Sequence, residues 1–451
     1  MIYTMGIENK LKRAKKILLL GGYGYGNVGD EAQLSATIDI IKEEYPNSIV
    51  KVLTPNLSYT AREHNCSVGL APRVAFYDQG TSKIYSINNK NKKSPIHYLG
   101  NEFFKLLFLL RSFWIMFNAV LIKLHLPSFL LGAKRVALLE EIRTSDLVYF
   151  VGGGYLTGKT LSRLWDGMFF IRIANIFKVP VVASGQTIGV WNSRFNKVLA
   201  KWGLKKVRAI TLRDPEDSLA ALKEIGLEGE NIFVTCDDAL FCRKEESQKE
   251  VEKFLIDSGM DAIKIKEGFV TLNIHYWGLN TQAEKNDLLV KIKSIVDVTK
   301  EKGFNNILFI PMTPSDEQTI DDYLSSYKEE GLYKFKYEYD FRIIRAVIAQ
   351  SKLCITMKHH PIIFAVGEKK PVISLALGDY YEHKNKGALK LVGLDKYNVS
   401  LDDKDYLLYY NDRIDSIINN EENIKSIIEE NFKHIKERKK KFISIVKEQI
   451  N

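Results

Sequence analysis

The chain has 451 residues, 45% of them hydrophobic and 27% charged, enough apolar material for two domain cores and too much for a disordered protein. Its 65 basic and 55 acidic residues leave a net charge of +10, which suits acidic small molecules, acidic glycans or an anionic membrane surface. No basic run is interleaved with aromatics and no nucleic-acid module is recognisable, so no nucleic-acid partner is expected.

The four cysteines (Cys66, Cys236, Cys242, Cys354) lack CxxC spacing. That argues against a disulfide framework or a zinc site and for a reducing compartment. At the N-terminus, Lys10, Lys12, Arg13, Lys15 and Lys16 precede only four apolar residues and a glycine. This apolar part is too short for a signal peptide, and a cytoplasmic protein is expected.

Ile17–Leu20 is an apolar run that ends in GGYGYGNVGDE (21–31) and leads into a helical pattern through Ile41. Gly24, Gly26 and Gly29 match G-x-G-x-x-G. The next run, Ile49–Leu53, however ends in Thr54, Pro55 and Asn56, with no acid to hold a ribose hydroxyl. That counts against a nicotinamide cofactor. What remains is a turn, around Gly26 and Asn27, whose backbone N–H groups at a helix N-terminus can meet an anion or a sugar hydroxyl. Asp30 reads most simply as the cap of that helix or a complement to its dipole, and more sharply as a functional base.

Residues 78–98, with NNKNKK at 88–93, read as an exposed loop. The next stretch, FFKLLFLLRSFWIMFNAVLIKLHLPSFLLG (103–132), is the most hydrophobic of the chain. Lys105, Arg111, Lys123 and His125 interrupt it, and its longest uncharged run, Ser112–Ile122, falls short of the roughly 20 residues of a membrane span. The plain expectation is one or two helices packed into the first domain. The alternative is a peripheral patch that docks on an anionic membrane.

Asp146–Val151 leads into Gly152, Gly153 and Gly154, and Val179–Ala183 into GQTIGV (185–190). Ala209–Leu212 ends in Arg213 and Asp214, and Ile232–Val234 in Cys236, Asp237 and Asp238. This repeat of strand, turn and helix implies a parallel sheet whose polar strand ends converge on one rim. By default Arg213 pairs with Asp214 or Asp217, and Asp237 and Asp238 are turn or capping groups.

Arg243–Lys266 is charged and weakly periodic, and is placed as the link between domains. A second series follows: Phe269–Ile274 ending in His275, Tyr276 and Trp277, then Ile307–Ile310, Leu353–Thr356 and Val372–Leu377. Lys358, His359 and His360 lie beyond one of these runs, and His383, Lys384 and Lys386 beyond the next. Ligands of open α/β sheets bind at such ends. The two clusters read as an anion site with a proton donor, or as a solvated basic rim. Asn420–Asn451 reads as a long amphipathic helix whose charges face solvent. The fold class is α/β: two Rossmann-like domains, 1–242 and 267–451, facing a cleft and closed by the C-terminal helix, with 243–266 between them.

Taken together the motifs resemble the polysaccharide pyruvyl transferase family. GYGYGNVGDE (22–31), VGGG (151–154), GQTIG (185–189), RDPEDS (213–218) and CDDALF (236–241) follow in the family's order, as do MKHHPIIFA (357–365) and HKNKG (383–387). The resemblance spans about residues 16–394, with a divergent part from about 60 to 145. It implies a GT-B-like fold with the acceptor on the first domain and phosphoenolpyruvate, the donor, on the second. It also implies transfer of a pyruvyl group to a sugar. His360 falls on the family's histidine, Lys358 on its arginine, Lys384 on its later lysine and Arg213 on the arginine of the RD turn. Lys358 lacks the planar fork of that arginine; His359 replaces an apolar residue and Val190 a proline.

Such a reaction needs cations for two anionic groups, a general acid and a general base, and no cofactor. Lys358, Lys384, Lys386 and Arg213 are the candidate cations. His360, expected at a helix N-cap before Pro361, is the candidate acid. The helix's positive end should lower its pKa and a bound dianion should raise it. His359, about 100° around the helix, should not share that role. His275 is a weaker candidate, and Asp30 or Asp237 is the base; Gly153 and Gly154 join Gly26 and Asn27 on the substrate rim. The acceptor is a glycan or a lipid-linked saccharide. Two alternatives stay open: a nucleotide-sugar-dependent glycosyltransferase of the same architecture, and a non-catalytic glycan-binding member.

Overall fold

Runs of aliphatic residues bounded by glycines or charges form strands buried on both faces, as parallel sheets require. The computed structural model describes residues 14–77, 95–158, 161–337 and 339–450, with the backbone alone for 95–105 and 161. The early lysines Lys10 and Lys12, Arg13 and the NNKNKK segment lie outside the described residues.

The first sheet contains β1 (Lys16–Leu20), β2 (Ile49–Thr54), β3 (Ser67–Leu70), β4 (Leu147–Phe150), β5 (Gly153–Thr157), β6 (Val181–Gly189), β7 (Ala209–Leu212) and β8 (Ile232–Val234). Its order is β3-β2-β1-β4-β6-β7-β8, with β5 beside β6. The second contains β9 (Val270–Asn273), β10 (Ile307–Phe309), β11 (Leu332–Lys334), β12 (Leu353–Thr356), β13 (Val372–Ala376) and β14 (Asn398–Ser400), in the order β11-β10-β9-β12-β13-β14. Both are parallel. Leu19 of β1 lies opposite Val52 and Tyr149, and Leu272 of β9 opposite Phe309 and Ile355. The strand order reverses at β1/β4 and at β9/β12, so each sheet opens a crevice beyond those carboxyl ends.

Several expectations need correction. Gly152–Gly154 is no simple turn, since Gly153 begins β5. GQTIG continues β6 to Gly189, across a register shift after Ala183 where Gly185 takes φ +56°. That is bulge geometry, which tolerates glycine best. The segment placed as a link, 243–266, is mostly the helices Gln248–Asp257 and Ala262–Glu267, and Val251 and Leu255 belong to the second core. The chain changes cores earlier. Phe233 packs with the first sheet, whereas Cys236, Ala239 and Leu240 cluster with Val28, Ala32 and Ala36 of the helix Val28–Glu44 in the second core.

The last helix, Tyr406–Ile450, carries a break at Asn420. Tyr410, Ile414 and Ile417 pack in the second core, and Phe442, Val446 and Ile450 pack with Ile17 and Leu19 in the first. It therefore ties the two domains together. Its charges are not all solvated as expected: Lys439 is buried and ion-pairs with Asp238.

The hydrophobic stretch is one helix, Pro95–Lys123, followed by an irregular turn. Ile115, Ala119 and Ile122 are buried, and Phe108 and Phe113 meet Trp165 and Phe169 of the helix Leu161–Ile176. Its window Leu106–Lys123, mean hydropathy 1.7, is long and apolar enough to cross a membrane by length and composition, which the uncharged run alone is not. In the fold it lies along the first domain.

Candidate functional site between the two switch points

Loops after β1, β5, β9 and β12 surround a cleft of about 840 Å³. On the first domain, the glycine-rich turn is held by a residue the motifs do not single out. Buried Glu31 accepts the Gly24 N–H at 2.7 Å and meets His64 Nε2 at 3.0 Å. Asn27, not Asp30, caps the helix, its side chain accepting from the Gly29 N–H at 3.1 Å. Asp30 is thus left to face the cleft. Gly29 allows a close approach between the domains: a Cβ there would stand 1.9 Å from the His360 ring.

On the second domain, Thr356 sets the start of the helix His359–Gly367. Its hydroxyl accepts from the Lys358 N–H at 3.0 Å and donates to the Lys358 carbonyl at 2.9 Å. Lys358 is therefore the N-cap, and both histidines occupy the first turn, which puts His360 two residues further in than the N-cap position expected for it. Pro361 fits there because its missing N–H would have no partner within the helix.

Both histidines turn to one carboxylate despite their different bearings on the helix. Asp237 Oδ2 lies 3.2 Å from His359 Nε2 and 3.8 Å from His360 Nε2. The same oxygen takes the Arg213 guanidinium at 2.6 Å and the Gln33 amide at 2.6 Å, while Oδ1 accepts from the Ala239 N–H at 2.9 Å. Arg213 thus pairs with Asp237 rather than Asp214 or Asp217, because the β7 and β8 ends bring those two together. Burial pushes the Asp237 carboxyl up, but Arg213 and the two histidines outweigh it and hold it well below its usual range. Burial lowers His360 well below its usual value and His359 to about 3, with Asp237 opposing both shifts. The main cause at His360 is burial, followed by the opposing charge of Asp237. His359 Nδ1 and His360 Nε2 meet no hydrogen-bond partner among the described residues.

Lys358 is held by Asp316, at 2.6 and 2.8 Å, and by Thr313 Oγ1 at 2.9 Å. Burial lowers its pKa even so. Lys384 is different. Among the described residues no carboxylate lies within ion-pairing distance of it, and its ammonium sits 5.6 Å from the Tyr380 ring centroid. Asp30 is raised to about 6 by burial, against the pull of Lys384 and Arg213. His275 is lowered to about 4, first by burial and then by Lys358.

The cleft thus gathers His360, Asp30, Lys358, Lys384, Arg213, His275, Asn27, Gly153 and Gly154. Asp237 lies behind it, fully buried. Gly26 and Lys386 do not line it. HKNKG lies within the helix Gly378–Lys390 rather than in a loop. Two helical positions stand about 200° apart, so Lys386 points away from Lys384. Sequence reasoning missed Asp316, Arg163 and an aromatic wall in which Trp277 meets Tyr380 at 5.2 Å and Tyr381 at 5.4 Å. A second cavity of about 720 Å³ shares Arg213, His359, Tyr380 and Lys384 with the cleft. No group of three His, Cys, Asp or Glu among the described residues is arranged to hold a metal ion.

Two Rossmann-like domains that face each other across their switch points, closed by a returning helix, define the GT-B architecture. Solved structures share it. A UDP-GlcNAc 2-epimerase from Neisseria meningitidis, bound to UDP-GlcNAc, matches at TM-score 0.53 and 13% identity, over 96% of this chain and 100% of that one. A glycosyltransferase from Rickettsia africae matches at 0.53 and 13%, over 96% and 99%. At these identities the likeness concerns the fold alone. Residues 27–380 match the family described as polysaccharide pyruvyl transferase, and the chain belongs to that family, a class of transferases acting on polysaccharides. The amylovoran biosynthesis protein AmsJ of Erwinia amylovora is 21% identical over 398 residues, 84% of this chain and 86% of its own length. Val190, where the family resemblance places a proline, takes φ +53°, which proline cannot adopt.

Proposed function

We propose that the protein transfers the enolpyruvyl-derived group of phosphoenolpyruvate to a sugar of a cell-surface polysaccharide or its lipid-linked precursor, forming a pyruvate ketal. The methylene carbon takes a proton and C2 becomes oxocarbenium-like. One sugar hydroxyl adds to C2 and gives up its proton, and the C2–O bond to phosphate breaks. A second hydroxyl then closes the ketal, giving up its own proton. One proton remains on the carbon and the other leaves with phosphate, so the steps balance without metal or redox cofactor.

The observation that carries this reading is Lys384, a cation with no carboxylate within ion-pairing distance among the described residues, which acts electrostatically on both His360 and Asp30. A trianionic donor held by Lys384, Arg213 and Lys358 supplies the negative charge that a buried neutral histidine lacks. His360 gains its proton when the donor binds and passes it to the methylene carbon. Asp30, poised near 6, accepts the hydroxyl proton. The aromatic wall and the adjoining cavity leave room for the acceptor.

A thermal-shift panel tests the donor. Phosphoenolpyruvate should stabilise the protein beyond inorganic phosphate, increasingly with concentration, and Lys384→Ala should remove most of that excess. Lys384 is the better target because removing Lys358 would leave Asp316 uncompensated. His360→Asn should abolish turnover while the donor still stabilises the fold. A shift with one nucleotide sugar and none with phosphoenolpyruvate would assign the protein to nucleotide-sugar-dependent glycosyl transfer instead.

A further inference from the structure

The helix Pro95–Lys123 is apolar on two opposite faces. Ser112, Ile115, Ala119 and Ile122 form the buried one. Leu106, Leu110, Phe113, Phe117, Val120 and Leu124, at alternating steps of four and three residues, form an outward stripe in which Phe117 is 50% and Leu124 60% exposed. Positions two apart stand about 200° apart on a helix, so the stripes cannot serve the same contact. The stripe continues into the turn, where Phe129 is 55% and Leu130 81% exposed. Monomers rarely leave so continuous an apolar surface to water without a use for it.

The charge carried by this segment has one sign. Residues 103–139 contain five Lys and Arg and no Asp or Glu. Lys123, His125 and Lys134 are exposed beside the stripe. A second copy seated about a two-fold axis would bring these cations against their own counterparts, with no carboxylate from the segment itself to offset them. Anionic headgroups would meet them favourably while the stripe entered the acyl boundary. The helix is not free to cross a bilayer. Its inner face is built into the domain, where Ser112 shares a 2.7 Å hydrogen bond with the Tyr77 hydroxyl and Asn118 accepts from the Phe129 N–H at 2.7 Å.

We propose that this face seats the protein on a bilayer surface containing anionic lipid, lying on it rather than spanning it. The helix Leu161–Ile176 connects the face to the cleft: Trp165 packs against Phe108, Phe169 meets Phe113 edge-on at the margin of the outward stripe, and Arg163 lines the cleft. Docking therefore fixes the cleft relative to the membrane, which suits a lipid-linked acceptor. That last consequence rests on the transferase reading, whereas the docking does not.

Vesicle co-sedimentation of the full chain tests it. The protein should sediment with phosphatidylcholine vesicles that contain phosphatidylglycerol, less with phosphatidylcholine alone, and less at high salt. Leu110→Gln, Phe117→Gln and Leu130→Gln together should reduce binding by about tenfold or more. The thermal midpoint and the shift with phosphoenolpyruvate should stay as they are. Should that variant fail to fold, Lys123→Glu with Lys134→Glu keeps the stripe and should lose the preference for anionic vesicles. Wild-type protein left in the supernatant, or a folded triple variant that sediments equally well, would overturn the proposal. So would a wild-type dimer in sedimentation velocity that the triple variant converts to monomer.

Discussion

Asp237 and Asp238 are consecutive, identical in chemistry and both fully buried, yet they serve different parts of the molecule. Asp237 gathers Arg213, Gln33 and His359, groups drawn from both domains around the cleft. Asp238 pairs with Lys439 of the last helix, which also donates to Ser184 at 2.7 Å, and so fastens that helix to the first sheet. A buried carboxylate takes its task from the cation the fold brings to it. Here the turn after β8 sends one side chain toward the site and its neighbour toward the scaffold.

Removing one cation should separate the two carboxylates most clearly. Lys439→Met leaves Asp238 charged and uncompensated in the core, and should cost about 3–5 kcal/mol in chemical denaturation. Asp238→Asn with Lys439→Met should recover much of that loss, and turnover per folded molecule should stay near wild type in both. A double variant as unstable as the single one would show that the two groups do not act as a pair. Asp237→Asn should behave differently. Arg213 borders the cleft and keeps its 2.8 Å bond to Thr187, so the stability loss should be smaller, about 1–3 kcal/mol. Turnover should fall by about a hundredfold or more, because both histidines and the guanidinium lose the charge that orders them. A variant with large instability and ordinary turnover would place Asp237 with the scaffold instead.

The difference between the two carboxylates was not legible in the sequence, although much around them was. Interior strands such as β1, β4 and β12 are short, largely apolar runs ending in small or charged residues, which the sequence displays directly. The strands β3, β11 and β14 were missed: each is an edge of its sheet with half-exposed positions, and its pattern is correspondingly weak. The rim residues Lys358, His360 and Arg213 follow strand ends, so periodicity places them. Their partners are another matter. Asp316 reaches Lys358 across 42 residues, and nothing local foretells the pairing, although Thr313 and Asp316 carry a capping-box spacing that marks a helix start. Lys439 did leave a signal. It stands on the stripe Ile428, Ile435, Lys439, Phe442, Val446, where a lone lysine among apolar positions asks for a buried partner.

Asp30 differs from both Asp237 and Asp238, because it is a cleft carboxylate with no cation within ion-pairing distance among the described residues. Its pKa therefore rises, to about 6 from an ordinary value of 3.8, instead of falling as that of Asp237 does. The linkage has a definite sign. With the folded pKa above the unfolded one, the folded state binds the proton more tightly, so stability is fully present below about pH 4 and is lost as pH rises through about 6. Asp30→Asn removes that loss. The variant should match wild type near pH 4 and exceed it by about 1–2 kcal/mol above pH 7, less than the full pKa displacement implies because the cleft admits water to this half-buried group. Measuring the difference between the two proteins across pH cancels every other titrating group they share. A gain that is the same at all pH values would mean that Asp30 is not poised as a base. A gain that grows through pH 6, with turnover reduced in the same variant, would identify stability given up at Asp30 for the proton it has to accept.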